Sequence, residues 1–194
     1  MGKAIYDDRA LENLSRKTKR NVIKAIDNAT PEDYVKGLTW YQARHELLED
    51  LASEYRYPVD QVAAVMAVTS PQLSYAKNRQ TTVEILEGKS PQNGIHSGIA
   101  KAYDVLASGD TDTYVRGPKV RSFFRNLANP MCPESVTIDI WMSRVAGFTE
   151  PKELARKGAY QAIAKGIKRA AKAKGILPNQ AQAIAWIAMR GSDV

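Results

Sequence analysis

Five groups of side chains in this 194-residue chain have the types and spacing to do chemistry. Lys119 lies in Arg116-Gly117-Pro118-Lys119-Val120-Arg121, where a glycine and a proline precede a helix whose first turn is cationic. Backbone N–H groups at a helix start bind phosphate, and adjacent cations add attraction. A tight turn with solvated Lys and Arg is the plainer reading of the same six residues. Asp139 stands just before the apolar stretch Ile140-Trp141-Met142. Asp is a strong N-cap, worth about 1 kcal/mol. A carboxylate fixed in that way also suits the stabilisation of a developing cation.

Gln182 and Trp186 are four apart and share a helix face. The amide suits reading the edge of a base and the indole suits stacking on it; a core Trp186 with Gln182 at its margin is the alternative. Thr69-Ser70-Pro71-Gln72, followed by Tyr75 and Asn78, is a polar break after an apolar helix. It either projects side chains into a cleft or is an ordinary corner. Lys165, Lys168, Arg169 and Lys172 fall at i, i+3, i+4 and i+7 with no acid interleaved, which points to phosphate contact over a merely solvated stripe.

Helices must position these groups, because helical periodicity dominates and no convincing alternating strand is present. A first helix is predicted over 10–29, and Thr30-Pro31-Glu32-Asp33 reads as a second helix start. Residues 39–56 form a further stripe, ended by Pro58, and the nearly all-apolar 59–69 reads as a central buried helix. Helices near 74–87 and 96–107 flank a Gly/Ser/Pro/Asn-rich connection. Others are predicted at 118–128, from about Asp139, over 158–174, and from Pro178 to about Arg190. The fold class is all-α, with nine or ten mostly short helices.

Composition narrows the function. Apolar residues make up 44% and charged residues 25%, which excludes a disordered or collagen-like chain. No apolar run approaches the ~18 residues of a membrane span, and the first twenty residues lack the apolar core of a secretory signal. Cys132 is the only cysteine, which excludes an internal disulfide, a Cys-based zinc site and a four-cysteine iron–sulfur cluster. The net charge of +7 points to a polyanionic partner. Its distribution is uneven: residues 116–174 hold 13 Lys/Arg against 4 Asp/Glu, a net +9, which leaves −2 for the rest.

In order and spacing, these elements resemble the helix–hairpin–helix DNA glycosylase superfamily, the endonuclease III and 8-oxoguanine glycosylase group, over about residues 59–190. Ser70-Pro71-Gln72, with Asn78 following, is similar to the family's corner that fills the gap left by a flipped base. Gly117-Pro118-Lys119 is similar to the end of its hairpin, which supplies a catalytic lysine. Ile138-Asp139-Ile140-Trp141 resembles the segment that supplies its catalytic aspartate, twenty residues on. Gln182-Ala183-Ile184 with Trp186 matches the base-binding helix of the 8-oxoguanine branch. Two departures stand out. Tyr114 and Val115 occupy the hairpin's Pro and first Gly positions, and Trp141 stands where a His is frequent.

The resemblance implies a two-lobed fold with a cleft between lobes. One lobe spans about 30–115; the other spans about 116–194 with the helix 10–29. It implies Lys119 and Asp139 as catalytic and Gln72, Asn78, Gln182 and Trp186 as base-binding. Arg116, Gly117, Arg121, Lys165, Lys168, Arg169 and Lys172 would follow the DNA backbone. Trp40, Tyr41 and His45 would border the cleft. The implied function is base excision from double-stranded DNA, bifunctional with lyase activity, by a monomer without cofactor, metal or iron–sulfur cluster. The expected location is the cytoplasm, at a nucleoid or in a host cell. Two alternatives stay open: a base-hypermodifying transferase of the kind associated with phage thymine modification, and a non-catalytic DNA-binding protein.

Overall fold

The computed structural model of the protein describes residues 7–190, and among them it is all-α with no strand. The helices are α1 (Asp8–Asp27), α2 (Pro31–Tyr55), α3 (Val59–Thr69), α4 (Tyr75–Leu86), α5 (His96–Ser108), α6 (Thr111–Tyr114) and α7 (Pro118–Ala128). After them come α8 (Ile140–Val145), a 3-10 turn (Pro151–Ala155), α9 (Ala159–Lys174) and α10 (Pro178–Arg190). Local chemistry sets the starts. Asp7, Thr30, Ser74, Asp110 and Asp139 each accept a hydrogen bond from a backbone N–H three residues on. The Thr30-Pro31 start and the 39–56 stripe prove to be one unbroken helix, α2, because nothing between them interrupts the ladder. The four-residue α6 was not expected from the sequence; Asp110 caps it.

Two compact units divide the chain, Met1–Tyr41 with Met131–Val194, and Gln42–Pro130. The boundaries expected near 30 and 115/116 therefore differ from these. The start of α2 carries no break, and α7 packs on α3, so the Gly117 corner belongs with 42–130.

In the first unit α1 lies against α9, and both contact α10. Val22, Met142, Ile163, Ile167 and Ile184 form its fully shielded centre. Two close approaches need glycine: a Cβ on Gly166 would lie 2.6 Å from Ser15 O of α1, and one on Gly37 would lie 2.5 Å from Ile184 Cα of α10. In the second unit α3 is central, as its all-round apolar composition requires, with residues 62–69 buried among α4, α5, α6 and α7. A Cβ on Gly98 would lie 2.7 Å from Val68 O, so α5 and α3 touch backbone to backbone.

Candidate functional site

Asp139 organises a site in the first unit. The segment before it is buried and held by Tyr160, whose hydroxyl takes the Ile138 N–H at 3.2 Å and donates to Val136 O at 3.0 Å. At the start of α8, Asp139 Oδ1 accepts the Met142 N–H at 2.9 Å. Its Oδ2 accepts the indole N–H of Trp186 from α10 at 3.0 Å. Two N–H donors thus fix a half-buried carboxylate with one lone pair left on each oxygen. That arrangement favours an electrostatic role over proton abstraction.

Aromatic and cationic groups surround it. Trp40 meets Trp186 edge-on, ring centroids 5.8 Å apart, and also abuts Tyr41 at 4.8 Å. The Arg190 guanidinium lies 4.8 Å from the Trp186 centroid and 5.3 Å from that of Trp141, and Arg144 covers Trp141 at 4.5 Å. Both arginines are exposed and neither has a carboxylate within ion-pair distance among the described residues. Gln182, one turn before Trp186, is buried, and its Oε1 accepts from Tyr41 Oη at 2.8 Å. The Thr137 hydroxyl lies 3.0 Å from the same Tyr41 oxygen. Two guanidiniums stacked on indoles beside a carboxylate make a surface suited to a planar, electron-rich ring carrying phosphate.

The second unit holds the two corners. Gln72 is exposed in the left-handed region, φ +65°, an uncommon conformation for a residue with a Cβ. Gly117 has φ +81° with open space where a Cβ would lie, so its backbone alone demands glycine. Arg116 Nε donates to Thr113 O at 2.7 Å and Arg121 Nε to Val115 O at 3.4 Å, which ties both arginines to the α6–α7 turn. Lys119 is half-exposed in the first turn of α7. A cavity of about 90 Å³, lined by Pro71, Lys101, Tyr114 and Arg116 among others, joins the two corners.

Two expectations need correction. Asn78 faces the core, not a ligand: its Oδ1 accepts from Thr69 Oγ1 at 2.8 Å and its Nδ2 donates to Met66 O at 2.9 Å, so both ends of the amide clamp α4 to α3. His45 is half-buried, with Nδ1 bonded to Leu127 O at 2.8 Å within the second unit. The face of α9 is not acid-free. Glu12 of α1 pairs with Lys165 at 2.9 Å and Arg169 at 2.7 Å, while Glu134 pairs with Lys168 at 2.6 Å. Arg169 first and Lys165 second hold the Glu12 carboxyl down to about 2, and Lys168 holds that of Glu134 below its ordinary value. Lys172 alone of the four has no carboxylate within ion-pair distance among the described residues.

A family profile matches residues 6–193, nearly the whole chain; its description is a family of unknown function, DUF7178. The chain belongs to this family. No curated protein and no solved structure matches it. In this DUF7178 member, Asp139, Gln182 and Trp186 fall in one unit and Asp139 bonds Trp186 directly, whereas Gln72, Asn78, Arg116, Gly117, Lys119 and Arg121 belong to the other.

Sequence reasoning missed Arg144, Arg190 and Thr137 and gave Tyr41 no specific role. The arginines had a signal: Trp141 to Arg144 is i,i+3 and Trp186 to Arg190 is i,i+4, so each stacks on its own helix. Thr137 had none, since only the fold brings it to Tyr41. Among the described residues no group of three or more His, Cys, Asp or Glu could hold a metal ion, and no helix is long and apolar enough to cross a membrane.

Proposed function

We propose that this DUF7178 chain processes bases in double-stranded DNA as a two-lobed, helix–hairpin–helix glycosylase-like enzyme, excising the base and cleaving the strand. The observation that supports this best is the 3.0 Å bond from the Trp186 indole to Asp139. It joins the carboxylate to the aromatic that the sequence assigned to the base, through a contact forty-seven residues long in sequence.

The chemistry follows from the groups. A base in a duplex is inaccessible at its C1′–N bond and must be flipped out. Gln72, exposed and held in a left-handed turn, fills the vacated stack. The extruded base lies against the Trp186–Arg190 ladder, and Gln182 bonds to its edge. Lys119, as a neutral amine, attacks C1′; the C1′–N electron pair leaves with the base, which takes up a proton. Asp139 stabilises the positive charge that builds on the sugar as that bond stretches. Loss of a proton from the lysine nitrogen and opening of the sugar give a Schiff base, from which β-elimination breaks the strand. A lysine amine is ordinarily protonated at neutral pH, with pKa ~10.4, so it reacts only when that proton is displaced.

The decisive experiment offers duplexes bearing single modified or damaged bases and reads base release, strand scission and borohydride-trapped adduct. Wild type is expected to release a base and trap an adduct, and Lys119→Gln to trap none. An adduct formed equally well by Lys119→Gln removes lysine from the mechanism. A base substituted by an added amine, with the sugar bond intact, makes the protein a transferase. Duplex binding without any product, unchanged in Asp139→Asn with Lys119→Gln, makes it a binding protein.

A further inference from the structure

Gln182 has its oxygen occupied and its amide nitrogen unoccupied. Tyr41 Oη lies 2.8 Å from Gln182 Oε1. An amide oxygen only accepts, so the single Tyr41 proton points at it, and the Thr137 hydroxyl, able to donate as well as accept, completes the other side of Tyr41 at 3.0 Å. Tyr41, Thr137 and Gln182 are 5%, 8% and 5% exposed, so water does not supply an alternative partner behind the amide. Among the described residues no acceptor meets Gln182 Nε2.

We propose that this relay makes Gln182 a donor-only reader, so that the Asp139 site selects bases presenting a carbonyl oxygen at the edge that Gln182 meets. Uracil- or thymine-type pyrimidines and hypoxanthine- or guanine-type purines satisfy it. Cytosine and adenine set an amine against an amine there, which leaves two buried donors unpaired. Tyr41 is the specificity-determining positioning residue: it touches no base itself but fixes which end of the amide does. The inference rests on the base-processing reading and sharpens it to a substrate class.

The test titrates the full chain, by fluorescence anisotropy, with duplexes that differ at one mispaired central base: uracil or cytosine, and hypoxanthine or adenine. Each pair exchanges one carbonyl for one amine and, with it, the neighbouring ring N–H for a bare ring nitrogen. Wild type is expected to bind the carbonyl member about tenfold more tightly in both pairs. Tyr41→Phe, which frees the amide to turn over, brings the ratio to within about twofold. Thr137→Val keeps the preference, because Tyr41 still donates to Gln182 Oε1. Gln182→Glu, whose carboxylate only accepts, shifts the preference to the amino member and carries the test if Tyr41→Phe fails to fold. Equal or inverted affinities in wild type, or a preference that survives in both Tyr41→Phe and Gln182→Glu, overturn the proposal while duplex binding stands. Absence of binding to all four duplexes overturns the base-processing reading, and this inference with it.

Discussion

Asp139 does two jobs with one carboxylate, and its two oxygens separate them. Oδ1 caps α8 and Oδ2 holds the Trp186 indole. Asn caps a helix about as well as Asp but has a single acceptor oxygen, so its NH2 meets the Trp186 indole N–H in place of Oδ2. Asp139→Asn is therefore expected to lose about 1 kcal/mol, less than Asp139→Ala, while base release falls by about 10²–10³-fold, the usual loss for one electrostatic contact to a transition state. Asp139→Ala removes cap and indole acceptor together and should cost about 1–2 kcal/mol in denaturant unfolding. A melting point lowered equally by both variants would reduce Asp139 to a structural residue. Gln72 supplies the opposite case. Its left-handed backbone is strained with a Cβ present, so Gln72→Gly is expected to stabilise the fold by about 0.5–1 kcal/mol. The same change should weaken duplex binding, because the amide that fills the stack is gone. Thermal melting and a DNA titration on one preparation check both signs.

At the scale of elements, the α1–α9 pair decides how much positive charge is on offer. Glu12 reaches from α1 to Lys165 and Arg169 and competes with any phosphate for them. Glu12→Gln is therefore expected to tighten binding to non-specific duplex and to steepen its salt dependence by about one counterion. The pH behaviour has a definite sign. A carboxyl whose folded value lies near 2, against an ordinary 4.5, stabilises the fold fully above pH 4.5 and loses that contribution as pH falls towards 2. In Glu12→Gln this part of the acid-unfolding limb disappears, so variant and wild type should converge in stability near pH 2. Acid titrations followed by circular dichroism would show a persistent gap at pH 2 if the ion pairs were not responsible. The contact also explains why α1 belongs with α9: Gly166 admits the Ser15 backbone, and Glu12 joins the two surfaces beside it.

Over the whole molecule, the basic stretch 116–174 is one block in sequence but is shared between two units, since the boundary at Pro130/Met131 cuts through it. Of the cations named above, Arg116, Arg121, Arg144, Lys172 and Arg190 have no carboxylate at ion-pair distance among the described residues. If these carry non-specific DNA binding, the slope of log K against log salt should be no steeper than about −5. A slope near −9 would mean that the paired cations of α9 engage phosphate as well. Sequence alone determined the helical class, most helix starts and the buried α3. Those properties are written locally, in caps, prolines, glycines and apolar period, and need no distant partner to be read. It also marked Asp139, Gln182 and Trp186 as chemically able. Only the tertiary structure joined the Trp186 indole to Asp139, turned Asn78 inward, set Glu12 and Glu134 against α9, and brought Tyr41 against Gln182 and Thr137. The reason is the same in each case: the partners lie nine to 157 residues apart in the chain, so only packing, and not local pattern, decides that they meet.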